Sequence, residues 1–259
     1  MKTFKIKKDL KLKNPILVAG WPGVGNVGKI ATEYLIHQLK AKKIAILTSP
    51  YFPHEVIMSP SGRITMLSNK IYLAHVQKKS GKQLDLLILT GNTQPVSPEG
   101  QYHINEKIVK IFKNIFKGSS IYTLAGYNDS TSIGLQRIFV AATSSSVLQK
   151  IKNANLHFST TRSSIWGSAG LTIAFAKRYH LDGACIMGET NGTEFDASAA
   201  QRVLEFISTL LNIDIDMTEM QSLIKETNKF IKEMEEQISG NISFPETITK
   251  GGTNPSYIR

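Results

Sequence analysis

Apolar residues along this chain fall into short unbroken runs separated by stretches with three-to-four periodicity. That alternation predicts strands joined through helices. Residues 16–19 (Ile-Leu-Val-Ala) form the first run and end in a glycine-rich stretch from Gly20 to Gly28. A helical pattern follows, with Ile30, Tyr34, Leu35 and Leu39 on one face, and residues 43–47 make the next buried strand before Pro50 and Pro53 break the chain. Residues 63–67 and 71–76, separated by Ser68, Asn69 and Lys70, predict a hairpin. Residues 84–90 are another apolar strand. Ser97, Pro98 and Glu99 then open a helix with a cap residue and an early proline, and its apolar face carries Ile104, Ile108, Ile111, Phe112 and Ile115.

The alternation continues through strands at 120–125, 137–142 and 183–188 and helices at 167–179 and 197–211. Strands connected through helices require a mostly parallel sheet covered on both faces, and the hairpin adds antiparallel strands to make it mixed. The fold class is therefore α/β, in one large domain or two small ones, with no internal repeat and no linker before about residue 212. Asp216, Met217, Thr218 and Glu219 have the form of a helix start. Met220, Leu223, Ile224, Thr227, Phe230, Ile231, Met234 and Ile238 then recur at helical spacing over 216–239. One apolar stripe of that length packs either on its own domain or against a neighbouring subunit. Residues 1–239 are thus expected to form the folded unit. Residues 240–259, with Pro245, Gly251, Gly252 and Pro255 and no apolar period, are expected to be a flexible tail.

Composition narrows the function classes. Apolar residues make up 41% of the 259-residue chain and charged residues 20%, as in soluble globular proteins. One cysteine, Cys185, sits in the apolar run 183–187, which rules out an intrachain disulfide and a thiolate zinc site. The basic N-terminus is not followed by a signal-type apolar segment, and no window reaches the roughly 18 apolar residues of a membrane span. A cytoplasmic protein without membrane attachment is expected. The net charge of +11 raises nucleic-acid binding, but the lysines are dispersed and no arginine-rich helix or aromatic-plus-basic strand gathers them. A solvated lysine surface, or one facing an acidic protein partner, fits better than a nucleic-acid site.

The sharpest local motif is Gly23-Val24-Gly25-Asn26-Val27-Gly28-Lys29, after a strand and opening a helix. Its spacing matches both the phosphate-binding loop and the dinucleotide fingerprint. However, Ile30 stands where a phosphate loop needs Ser or Thr for magnesium, and residues 47–49 offer no acid for a ribose. A structural turn is the expected role, and a nucleotide- or nucleoside-binding site using the loop Gly23 to Gly28 is the alternative. Six histidines lack metal-ligand spacing, Gly167-Ser168-Ala169-Gly170 lacks the spacing of a hydrolase elbow, and no catalytic constellation is complete. No cofactor and no metal are expected. Glu189 ends a strand where α/β folds place ligands, and it reads as a buried acceptor or a site acid. Asp196 is placed to cap the next helix.

Residues 20–28 (Gly-Trp-Pro-Gly-Val-Gly-Asn-Val-Gly), followed by Ile30-Ala31 and Tyr34-Leu35, resemble the N-terminal signature of the proteasome assembly chaperone 2 family, archaeal type. Gly188-Glu189-Thr190, Gly192, Asp196 and Ala199-Ala200 are similar to its C-terminal signature, in matching order. The resemblance implies a domain like that of purine nucleoside phosphorylases without their catalytic residues. It also implies a homo-oligomer and a partner in the α-subunits of the proteasome core particle. Some archaeal members engage that ring through a C-terminal hydrophobic–Tyr–any tripeptide. Tyr257, Ile258 and Arg259 are accordingly the expected partner-binding residues, with the tyrosine one place earlier than in that tripeptide and Ile258 in its position.

Overall fold

The computed structural model describes residues 4–6, 10–128, 136–154, 158–160, 163–192, 194–222 and 224. The first elements are β1 (Phe4–Ile6), β2 (Ile16–Gly20), a single 3-10 turn (Val24–Asn26) running into α1 (Val27–Gln38), and β3 (Lys42–Leu47). Four strands follow: β4 (Val56–Met58), β5 (Ile64–Met66), β6 (Asn69–Gln77) and β7 (Gln83–Gly91). Then come α2 (Pro98–Asn114), β8 (Ser120–Asn128), β9 (Ile138–Ala142) and α3 (Ser145–Asn153). The described elements end with α4 (Ser168–Arg178), β10 (Asp182–Thr190) and α5 (Ala197–Leu211).

Eight strands form one mixed sheet in the order β1-β3-β6-β7-β2-β8-β10-β9. The centre is parallel: β2 pairs with β7 and β8, and β8 with β10. Antiparallel pairs close both margins, β9 on β10 at one side and β6 and β1 about β3 at the other. Central strands buried on both faces explain their unbroken apolar runs. In β7, Leu87 and Leu89 face the layer holding α2 and α4, with Ile108, Phe112, Ile173 and Cys185. Leu86 and Ile88 face the layer of α1 and α5, with Leu35, Val203, Ile207 and Ile186.

The predicted hairpin across Ser68, Asn69 and Lys70 is not formed. Strand β5 pairs with β4 in a separate two-stranded ribbon, Val56 opposite Met66 and Met58 opposite Ile64. Strand β6 pairs with β7 instead, through a turn where Lys78 N–H donates to the Lys82 carbonyl and Gly81 takes φ +80°. Period-two alternation fixes that a segment is a strand but not which strand it joins. Helix α2 starts as predicted: Ser97 Oγ accepts from the Gly100 N–H at 3.1 Å. Asp196 caps α5 in the same way, accepting from Ala199 N–H at 2.8 Å. Helix α1 buries Val27, Gly28, Ala31, Thr32 and Leu35, and Ile30 and Tyr34 are left half-buried beside that stripe.

The chain after α5 returns to α1. Tyr34 Oη donates to the Asp216 carbonyl at 2.6 Å and accepts the Met220 N–H at 3.2 Å. Asp216 Oδ1 accepts the Thr218 N–H at 2.9 Å, and Met220 is fully buried in the α1–α5 layer. The first turn of the C-terminal helix therefore docks on its own domain. Residues 225–239, and the tail 240–259, lie outside the described residues.

Candidate functional site

From β2 the chain passes through α1 to β3 on one side of the sheet, and from β8 it proceeds to β9 and β10 on the other. The boundary between β2 and β8 is thus a topological switch point, where open α/β sheets hold a crevice outside the carboxyl ends of their strands. A cleft of about 450 Å³ lies there, between the glycine turn, the end of β8 and the segment 163–167. Trp21, Val24, Tyr127 and Trp166 give it an aromatic and apolar wall. Among the described residues, no Asp, Glu, His, Lys or Arg lines it.

Several polar groups of the glycine turn are engaged within the fold. Asn26 N–H donates to the Gly23 carbonyl and Val27 N–H to the Val24 carbonyl, so two amides of a would-be phosphate cradle are occupied. The Gly25 carbonyl accepts from Asp196 N–H at 2.9 Å, and Asn26 Nδ2 donates to the Glu194 carbonyl at 2.9 Å. Gly25 (φ +61°) and Asn26 (φ +49°) occupy the left-handed region that the tight turn demands. Gly28 lies in the first turn of α1, buried against the backbone of β8. Lys29 points away from the cleft toward Glu33, 4.0 Å away on the next turn. Gly23 is exposed and extended, at φ −175°.

A buried polar network braces the opposite wall. Gln94 Oε1 accepts from Ser168 N–H at 2.7 Å and its Nε2 donates to the Pro22 carbonyl at 2.6 Å. Ser168 Oγ donates to Gln101 Oε1, Asn105 Nδ2 donates to Ser168 Oγ, and Thr172 Oγ1 donates to Asn105 Oδ1. One glutamine side chain therefore caps α4 and fixes the start of the glycine stretch. Sequence reading missed this network, whose members come from segments more than 60 residues apart.

Glu189, near the end of β10, is buried and paired. Its Oε2 accepts from Arg137 N–H at 2.9 Å and from Arg137 Nε at 3.2 Å, and its Oε1 accepts from Arg137 Nη2 at 3.0 Å. Arg202 Nη2 donates to the Glu189 carbonyl at 2.7 Å. Burial lowers the Arg202 pKa, while the carboxylates of Asp196, Glu189 and Glu205 act against that shift. Cys185 is wholly buried, and burial pushes its thiol up to about 11, which leaves it protonated at neutral pH. Tyr257, Ile258 and Arg259 lie outside the described residues. Among the described residues, no group of three His, Cys, Asp or Glu side chains is placed to hold a metal ion. Nor is any helix among them long and apolar enough to cross a membrane.

A three-layer α/β domain with a cleft at the switch point between β2 and β8, walled on one side by the glycine turn and with no charged side chain in its described lining, is the class these features define. The chain belongs to the PAC2 family, whose model matches residues 17–238. It is similar to Pyrococcus furiosus PbaB, an archaeal proteasome activator, with 30% identity over 90% of this chain and 98% of that one and a TM-score of 0.83. Pyrococcus furiosus PbaA, an archaeal homolog of proteasome-assembly chaperone, shares the fold at 22% identity, with 92% and 94% of the two chains covered and a TM-score of 0.74. An uncharacterized protein of Methanocaldococcus jannaschii is 36% identical over 233 residues, 90% of this chain and 87% of its own.

Proposed function

We propose that this chain is a proteasome-binding protein of the cytoplasm, a homo-oligomer that docks on the α-subunits of the core particle and catalyses no reaction. The observation that carries this reading is the likeness to PbaB, 30% identical over 90% of this chain. The switch-point cleft supports it, because its described lining offers no acid, base or cation to do chemistry. The glycine turn is a structural element in this reading, and Lys29 is a surface residue. An exposed ion pair one helical turn apart is worth less than about 1 kcal/mol. Lys29→Ala is therefore expected to leave melting within a few degrees, and a thermal-shift screen with nucleotides is expected to stay flat. Saturable ATP or GTP binding that Lys29→Ala abolishes would establish the rival nucleotide-site reading.

Docking is assigned to Tyr257, Ile258 and Arg259, which bring two large apolar side chains and a cation to a segment without its own apolar stripe. Several such segments on one oligomer raise the effective concentration at the ring, so each contact can be weak. Deleting residues 257–259 should leave the mass in solution and the melting temperature unchanged. Binding to immobilised core particle should weaken at least tenfold, about 1.4 kcal/mol per site before avidity. Unchanged binding would move docking to the folded surface, and a lower melting temperature would make the segment part of the fold.

A further inference from the structure

We propose that the β4–β5 ribbon is the surface on which a second copy of this chain docks, ribbon face against ribbon face about a two-fold axis. The proposal rests on the homo-oligomer reading above and adds to it the contact surface. The ribbon stands apart from the main sheet, and the register puts Val56 and Met66, and Met58 and Ile64, on one face, with Ile57 and Thr65 on the other. The first face is the more open one: Val56 is 58% exposed, Met58 74%, Ile64 69% and Met66 60%, against 38% for Ile57. A lone two-stranded ribbon is marginal in water, so covering one face stabilises it directly.

Two features select a copy of the chain as the occupant. The four side chains form a square with the two methionines on one diagonal and the two β-branched residues on the other. A two-fold axis lying across the strands therefore sets every methionine over a branched residue, long over short, which is how facing layers interdigitate. In addition, residues 51–67 hold Glu55 and Arg63 but no lysine, no aspartate and no further glutamate or arginine, so an acidic partner finds no excess positive charge there. The four apolar side chains expose roughly 500 Å², near the top of the range for a monomer's largest patch. Covering that patch in both copies removes roughly 1,000 Å² in total, about the size a specific interface must clear.

Light scattering at micromolar concentration tests the proposal on the full chain. The parent should weigh a multiple of 28.7 kDa. Met58→Glu should reduce the assembly to half its mass or less, with the far-ultraviolet circular dichroism unchanged because that side chain is mostly in solvent. Ile64→Glu on the same face should weaken association at least tenfold, whereas Thr65→Glu on the other face should leave the mass unchanged. A monomeric parent would sink both the oligomer reading and this surface. An oligomeric parent with Met58→Glu at full mass would sink the surface alone. Full mass with lost core-particle binding would assign the face to another partner and likewise overturn the proposal.

Discussion

Replacing Gly28 with alanine is expected to destabilise the domain by more than about 3 kcal/mol, lowering its melting temperature by roughly 10 °C or preventing folding. A Cβ at Gly28 would lie 2.1 Å from the Leu124 carbonyl oxygen and 3.0 Å from its carbon, both backbone atoms of β8. Gly20 faces the same junction from β2: its Cβ would lie 2.0 Å from the Gly28 oxygen. Neither contact can be relieved by turning a side chain. Helix α1 and strands β2 and β8 would have to part, and all three carry the central packing of Val18, Ala31, Leu35 and Leu124. Gly23→Ala is the control within the same motif. Its backbone is extended, and the nearest atom to an added Cβ is Gln94 Nε2 at 3.7 Å, an ordinary contact. Near-parent melting of Gly23→Ala beside the collapse of Gly28→Ala would show that the glycine spacing serves helix–strand approach. The reverse order would return the motif to a ligand.

That division of labour among the glycines was partly legible in the sequence. The spacing announced a strand, a tight turn and a helix, but two folds of opposite use share it. The missing Ser or Thr at position 30 weighed against magnesium, and only the direction of the Asn26 and Val27 amides shows where the polar groups go. Local signals elsewhere served well where they act within one turn of chain, as with Ser97 and Asp196 at their helix starts. Helix α3 escaped notice although Ser144 accepts from Val147 N–H and Val147 and Ile151 are buried one turn apart, because nine residues give too few periods. Strand partnership was illegible between β5 and β6, where two alternating segments lie side by side in sequence and join different sheets. The C-terminal helix is a case of a stripe with two outlets. Its first turn found α1 through Tyr34, a residue about 180 positions away that no local pattern links to Met220.

Glu189→Ala is expected to destabilise the domain by about 3 kcal/mol, roughly 6–12 °C in melting temperature, by removing the carboxylate that pairs with Arg137. The carboxylate is 7% exposed and the guanidinium 29%. Removing one partner of a largely buried pair leaves the other charge without the contacts that offset its desolvation. Water reaching Arg137 holds the loss near the lower end of the range for buried pairs. The guanidinium also lies over the Phe139 ring, 4.9 Å from its centroid, and that favourable contact stays when the carboxylate goes. The double variant Glu189→Leu with Arg137→Leu should recover more than half of the loss, because no charge is then left buried. Urea unfolding of the parent, both single variants and the double variant measures the coupling directly. A structural role requires that coupling to be large. An acid of a catalytic or ligand site would instead give single variants that unfold with the parent, and that result would reopen the cleft beside β8 as a place where chemistry occurs.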